Sequence, residues 1–415
     1  MKKIDVIRPG SINAIIGPVG TLKRIIKNAN FFNDRSYEVS LITNDSYKYS
    51  VFSKIDEIPV HRPAKRTKLN DFKLRISSTV RKLAINSNLF AYIVLRKEYM
   101  AVKRLIDFYI SQNRLPDLIQ FHSNLECYLY LKYRKEKTAK TVMFLHTDGI
   151  PLKMTLQYYK KLEGSWIYRK MKEQFDWTVA NVDHIVFIAK VGQRNFLSYY
   201  PERNLDNTSV IINGIEDFTE DQYNDAKSIK NNSKSEFKYR LCCTGSINGR
   251  KGHDIIIDAL HEIPSKLLSQ IHVDFLGEGS ERLSLMDRVK NYNLERNVTF
   301  WGTVPNVDVY KHLAENNIYI LMSKNEGLPI SIIEAMRSSL AIISTNVSGI
   351  PELINHEGNG FLIEPNVKDL VDTLTSLDKY DIEDMGKASR IRFEQEFTFE
   401  RMKSEFCNMY DKVLK

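Results

Sequence analysis

Short β-rich runs recur along this chain in two blocks, and that alternation limits the folds it can adopt. "KIDVIRP", "YEVSLITN", "LIQFH" and "TVMFLH" make up the first block, which closes on "SVIINGI". "YRLCCTG", "IHVDFLGEG", "NVTFWG", "IYILMS" and "AIISTN" make up the second. Strands alternating with helical or loop stretches pair in parallel through crossover connections. Between the blocks, residues 216–238 ("EDFTEDQYNDAKSIKNNSKSEFK") are polar and poor in aliphatics, and they read as a linker. At 415 residues the chain is too long for one ordinary core, so two open αβ sheets are expected. Ligands of such sheets bind beyond the carboxyl ends of the strands, where the two halves are expected to face each other across a cleft.

Composition narrows the class further. With 43% hydrophobic and 27% charged residues the chain reads as a soluble globular protein. The N-terminal "MKKIDVIRPGSINAIIG" is interrupted by Asp5, Arg8, Pro9 and Asn13 and lacks the apolar core of a secretory signal. No window reaches the roughly 18 apolar residues that a spanning helix needs. The four cysteines, Cys127, Cys242, Cys243 and Cys407, show no CxxC spacing, which suits a reducing compartment and a cytoplasmic location. The Asn-x-Ser/Thr match at Asn297 is then incidental.

Charge is unevenly spread. From His61 to Arg104 twelve Lys/Arg stand against Asp71 and Glu98, while the whole chain carries only +9. Leu69, Phe72, Ile76, Val80 and Leu83 run through the same stretch close to helical spacing. The local reading is a basic amphipathic helix, suited to an anionic membrane surface or, equally, the solvated face of an ordinary helix. A basic patch would also suit nucleic acid, but no recognised nucleic-acid module is present, and none is expected as a partner.

The stretch "SKNEGLPISIIEAM", residues 323–336, carries the densest chemistry. "NNIYILM" is a strand, Glu326-Gly327-Leu328 the loop leaving it, and Pro329 fits the first helical position. The amides of Ile330 and Ser331 then point out of the helix start, where free N–H groups and the helix dipole favour a phosphate. Glu326 before the turn and Glu334 along the helix flank that point, and carboxylates accept hydrogen bonds from sugar hydroxyls. A nucleotide sugar meets this description; an ordinary strand–loop–helix with both glutamates solvated meets the same spacing.

The stretch resembles the Glu-x7-Glu signature of retaining GT-B glycosyltransferases of family 4. The resemblance covers nearly the whole chain, through "PDLIQFHS", "TVMFLH", "VIINGI", "GSINGRKGHDIIIDAL", "FLGEGSERLSLMDRVKNYNLERNVTFWGTVPN", "STNVSGIPELI" and "EGNGFLIEP". It implies a GT-B fold, with two Rossmann-like αβα domains facing a central cleft and a C-terminal helix crossing back to the first domain. The bounds that follow are 1–215 for an acceptor-binding domain, 216–238 for the linker, 239–395 for a nucleotide-sugar-binding domain and 396–415 for the returning helix. The resemblance puts Glu326 on the donor sugar, Glu334 on the ribose, Lys251 on the diphosphate and His146 of "FLHTDG" near the donor sugar. Gly17 and Gly20 resemble the glycine turn before the first helix. Gly277 of "FLGEG" and Val304 of "FWGTVP" complete the donor set, the latter by its backbone against the base. Ser246 stands where the family has an arginine, and Arg250 is the candidate to replace it.

No Asp-x-Asp is present, so no metal is expected, and Lys251, Arg250 and the helix amides would meet the charge of the leaving diphosphate. The first histidine is His61, which leaves no N-terminal base of the inverting type. The resemblance implies retention, by front-face attack in which the leaving phosphate takes the acceptor's proton. The expected reaction moves a hexose or N-acetylhexosamine, from a UDP-sugar by preference, to a glycan, most simply lipid-linked, in surface polysaccharide synthesis. The basic 61–104 stretch and the run "LQYYKKLEGSWIYRKMKEQFDW" suit such an acceptor at the inner membrane face. A non-catalytic partner subunit, or a nucleotide-sugar epimerase on the same fold, are the alternatives.

Overall fold

A computed structural model describes residues 1–10, 17–44, 83–136, 139–232 and 235–415. Residues 61–82 of the basic stretch lie outside them. The chain divides into two compact units, Met1–Ile211 with Lys403–Lys415, and Ile212–Met402.

The first unit is built on six parallel strands: β1 (Lys2–Ile7), β2 (Tyr37–Ile42), β3 (Leu118–Phe121), β4 (Lys140–Leu145), β5 (His184–Phe187) and β6 (Thr208–Val210), in the spatial order β2-β1-β3-β4-β5-β6. Ile4, Ile7, Ile119, Phe121, Val142, Met143, Ile185 and Phe187 are fully buried. Parallel strands covered by helices on both faces need such unbroken apolar runs. The strand order reverses between β1 and β3, with Ile7 paired to Phe121 and Phe121 to Met143. The residues following β1, β3 and β4 therefore emerge side by side at one edge of the sheet.

The second unit repeats the plan with β7 (Tyr239–Thr244), β8 (Ile271–Leu276), β9 (Val298–Gly302), β10 (Ile318–Leu321), β11 (Ala341–Thr345) and β12 (Gly360–Ile363), in the order β12-β11-β10-β7-β8-β9. Its order reverses between β7 and β10, which makes the loops after these two strands the walls of the ligand-binding crevice in a doubly wound sheet. Gly277, with φ +149°, closes the neighbouring β8 loop tightly: a Cβ there would lie 1.9 Å from the carbonyl oxygen of Gly245.

One expectation changes. Residues 216–238 are not a loose linker; Glu220–Asn232 is a helix of the second unit. Tyr310 Oη donates to Asp225 at 2.6 Å, and Arg390 holds Asp217 through two nitrogens at 2.7 and 2.6 Å. The helix has no buried residue, so its sequence lacks the apolar stripe that identifies helices. At the other end, the chain forms two helices, Ile382–Glu396 and Phe399–Leu414. The second passes into the first unit from Lys403 onward, as the expected return requires.

That last helix seals the first sheet. Phe406 stacks on Phe144 with ring centres 5.4 Å apart, Tyr410 Oη donates to Gln120 at 3.0 Å, and Tyr37 Oη donates to Asp411. Lys412 Nζ donates to the carbonyls of Leu205 and Thr208 at 2.7 and 3.0 Å. Phe406→Ala should lower the stability of the first unit by about 3–5 kcal/mol, read as a drop in the urea midpoint.

The helix Asn88–Ser111 brings together two stretches that stand apart in sequence. Ala84 and Ala91 are buried with Leu162 and Ile167, and Tyr92 meets Trp166 at 5.4 Å. One face of the helix carries the exposed residues Leu89, Ile93, Arg96, Lys97, Met100 and Arg104. Among the described residues no helix is long and apolar enough to cross a membrane.

Candidate active site

The loop after β7, residues 245–252, and the loop after β10, residues 322–329, are tied by a main-chain hydrogen bond from Lys324 N–H to the Arg250 carbonyl at 2.8 Å. Gly252, with φ +69°, begins the helix His253–Glu262, and a Cβ there would lie 2.0 Å from the Met322 carbonyl oxygen. That approach brings the Arg250-Lys251 pair to the β10 loop.

Glu326 is the centre of the contact and is only 7% exposed. Its Oε1 receives Lys251 Nζ at 2.7 Å, Arg250 Nη1 at 2.8 Å and Ser323 Oγ at 2.8 Å. Arg250 Nη1 also donates to the Asn325 carbonyl at 2.7 Å. Burial alone would push the Glu326 carboxyl up; the charges of Lys251 and Arg250 outweigh it and hold the group below the usual carboxylate range. Two cations thus share one carboxylate, and the cluster keeps an excess positive charge.

Other expected donor residues line the same edge of the sheet. Ser246 is exposed just after β7, beside Gly245, whose φ of +131° lets it lie against the Lys251 side chain. Gly277 follows β8, where its N–H donates to the Gly302 carbonyl at 2.7 Å. Val304, partly buried, follows β9. The helix Ile330–Arg337 differs from expectation by one residue: Pro329 is the N-cap, with φ −71° and ψ 115°, rather than the first helical residue. Ile332 N–H turns back to the Pro329 carbonyl at 3.2 Å, so Ile330 and Ser331 are the two amides without an acceptor inside the helix. Glu334 is half-buried one turn further on.

In the first unit His146 follows β4. Burial, and then the nearby Arg8 guanidinium, lower its pKa to about 4, so the ring is neutral near pH 7. Gly17 is the first residue of the helix Gly17–Lys27, and Gly20 lies within its first turn, not in a turn ahead of it. Pro18 is acceptable at such a position because the first helical amides need no partner.

Several residues in these places carry no signal of their own in the sequence. Ser323 and Asn325 act from within the β10 loop, and Asn213 Nδ2 donates to the Leu328 carbonyl at 3.3 Å, bracing that loop from "VIINGI". His122 Nδ1 lies 3.0 Å from His146 Nε2.

Residues 224–391 match the family model for glycosyl transferases group 1. The chain is 26% identical over 237 residues to the phosphatidylinositol N-acetylglucosaminyltransferase GPI3 subunit of Saccharomyces cerevisiae, covering 55% of this chain and 50% of that protein. It is 31% identical over 157 residues to the N-acetyl-alpha-D-glucosaminyl L-malate synthase of Bacillus anthracis, covering 37% of this chain and 39% of that one. The chain thus spans about half the length, or less, of these curated relatives. HepE of Anabaena, solved in complex with UDP, superimposes with a TM-score of 0.68 at 17% identity over 100% of both chains. The fold is GT-B, two Rossmann-like units each built on a parallel six-stranded sheet.

Glu326→Gln removes the carboxylate that Arg250 and Lys251 share. At neutral pH it should cost about 3 kcal/mol in chemical denaturation. Because the folded pKa of Glu326 is depressed, its contribution is present above the unfolded value near 4.3 and is lost as pH falls through the folded value. The gap between wild type and Glu326→Gln in denaturation midpoint should therefore close below about pH 4.

Proposed function

We propose that this chain is a retaining, metal-independent glycosyltransferase of family 4 that takes a hexose or N-acetylhexosamine from a nucleotide-diphosphate sugar. The observation that carries this reading is the sharing of Glu326 Oε1 by Lys251 and Arg250 at the β7–β10 reversal. A site with two cations and one carboxylate favours a ligand with more negative charge than one carboxylate supplies, and a diphosphate is such a ligand. Lys251, Arg250 and the Ile330 and Ser331 amides take the leaving diphosphate. Arg250 then does the work of the arginine that Ser246 lacks. Glu326 turns its second oxygen to a sugar hydroxyl, Glu334 takes the ribose, and Gly277 and Val304 border the base. His146 reaches the sugar, and Gly17 and Gly20 let the backbone approach it.

Catalysis on this reading is positional. The acceptor hydroxyl attacks the anomeric carbon from the face that the diphosphate leaves, the C–O bond to the diphosphate breaks, and the departing phosphate oxygen takes the hydroxyl proton. UDP-N-acetylglucosamine is the first donor to try, because the names of both relatives contain an N-acetylglucosaminyl group and HepE was solved with UDP.

The acceptor is a glycan, lipid-linked, at the inner membrane face in surface polysaccharide synthesis. Leu89, Ile93 and Met100, interleaved with Arg96, Lys97 and Arg104 on one exposed helix face, support docking on anionic lipid.

The purified chain incubated with UDP-, GDP- and ADP-sugars should hydrolyse a UDP-sugar slowly, and EDTA should leave the rate unchanged. Glu326→Ala, Glu334→Ala and Lys251→Ala should each reduce turnover by roughly a hundredfold or more; equal turnover in all three would sink the assignment. In flotation, vesicles with anionic lipid should carry the protein and neutral vesicles should not. Reversing Arg96, Lys97 and Arg104 to glutamate should abolish the difference; absence of wild-type binding to either vesicle would end the membrane claim.

A further inference from the structure

Behind His146 runs a chain of polar side chains that the donor site does not account for. Tyr410 Oη donates to Gln120 Oε1 at 3.0 Å, Gln120 Nε2 lies 2.6 Å from His122 Nε2, and His122 Nδ1 lies 3.0 Å from His146 Nε2. Gln120 is fully buried, and His122 and Tyr410 are nearly or wholly so. The rings hold one another: His122 stacks on Phe144 at 4.8 Å and on His146 at 5.2 Å. Chain topology explains the convergence. Gln120 lies in β3, His122 and His146 follow β3 and β4 at the sheet edge, and Tyr410 arrives on the last helix.

Directionality follows from donor chemistry. An amide whose oxygen accepts from Tyr410 turns its NH2 group, which can only donate, toward His122. His122 Nε2 must then accept. A neutral imidazole carries one proton, so that proton sits on Nδ1 and is donated to His146 Nε2. His146 is left with its own proton on Nδ1. Arg8 and the buried Glu126, whose carboxyl burial pushes up to about 7, face this cluster; burial lowers the pKa of both rings, helped by His146 and Arg8 at His122 and by Arg8 at His146, and keeps them neutral.

We propose that His122, oriented by Gln120 and Tyr410, is a positioning residue that fixes His146 as the Nδ1–H tautomer, so that it meets the donor sugar as a neutral hydrogen-bond donor. This rests on the role given above to His146. A fixed tautomer spares the ring the cost of choosing one during the reaction, in the way that a hydrogen bond on one nitrogen of an imidazole sets the state of the other. The group acts by orientation, and no proton need travel along the chain.

Nitrogen-15 spectra of the full-length protein, labelled at histidine and assigned with His122→Asn and His146→Asn variants, read the tautomer directly. The expected result is a protonated Nδ1 and a bare Nε2 on His146 at neutral pH. Gln120→Glu puts an acceptor where the amide donated, which should reverse the chain, move the His146 proton to Nε2 and lower kcat for donor turnover by roughly ten- to a hundredfold with a smaller change in KM. Tyr410→Phe, which leaves the amide free to flip, should give a mixture of tautomers even if Gln120→Glu fails to fold. A bare Nδ1 in wild type, or one tautomer unmoved in both variants, would overturn the proposal. The spectra do not depend on turnover, so a chain without transferase activity but with the expected tautomers fails the functional reading alone.

Discussion

One carboxylate oxygen shared by two cations sets the terms for the second unit. Taking Glu326 out of water is costly unless its charge is met, and Lys251, Arg250 and Ser323 meet it on a single atom. Arg250 and Lys251 are adjacent like charges, and the Glu326 carboxylate is a group that faces both of them. The glycines support this arrangement: Gly252 lets the β7 loop lie against Met322 of the β10 loop, and Gly277 lets the β8 loop lie against Gly245 of the β7 loop.

How much of this could be read in advance depended on whether the information was local. Glu326 stood out because it sits in a loop leaving a strand just before a helix start, a usual place for ligands, whereas Lys251 and Arg250 entered only through the family resemblance. The strands were legible because buried parallel strands are apolar runs; β5 and β12 were not picked out, although β3 and β10 are no longer than they are. The helix Glu220–Asn232 escaped because it buries nothing, and periodicity reports only helices with a face to hide. Pro329 was placed one residue too far inward, since its fixed φ fits both the cap and the first turn and only ψ separates them.

Tyr410 and Gln120 are a different case. They lie 290 residues apart, and neither residue type announces a partner. His122 looked like part of a family string and His146 like a lone ligand; their contact exists because Ile7, Phe121 and Met143 are in register across three strands. Sequence proximity carries no trace of such a register. The exposed face of Asn88–Ser111 was partly legible as charge, but its junction with the aromatic run near Trp166 needed the packing of Leu162 and Ile167 to appear.

The two units apply one topological rule with opposite electrostatics. In the second, the residues after the central strands are ionised, and their charges do the holding. In the first, the residues after β3 and β4 are imidazoles that burial and Arg8 keep neutral. The two arrangements suit different ligand chemistry, ionised groups an anion and neutral imidazoles a hydroxyl. A diphosphate gains charge as it leaves, so fixed cations stabilise the transition state more than the ground state. A hydroxyl gains none, so a neutral hydrogen-bond donor is sufficient for it. A neutral imidazole of fixed tautomer donates a hydrogen bond without adding charge, and the polar chain behind His146 sets the position of a proton and not a charge.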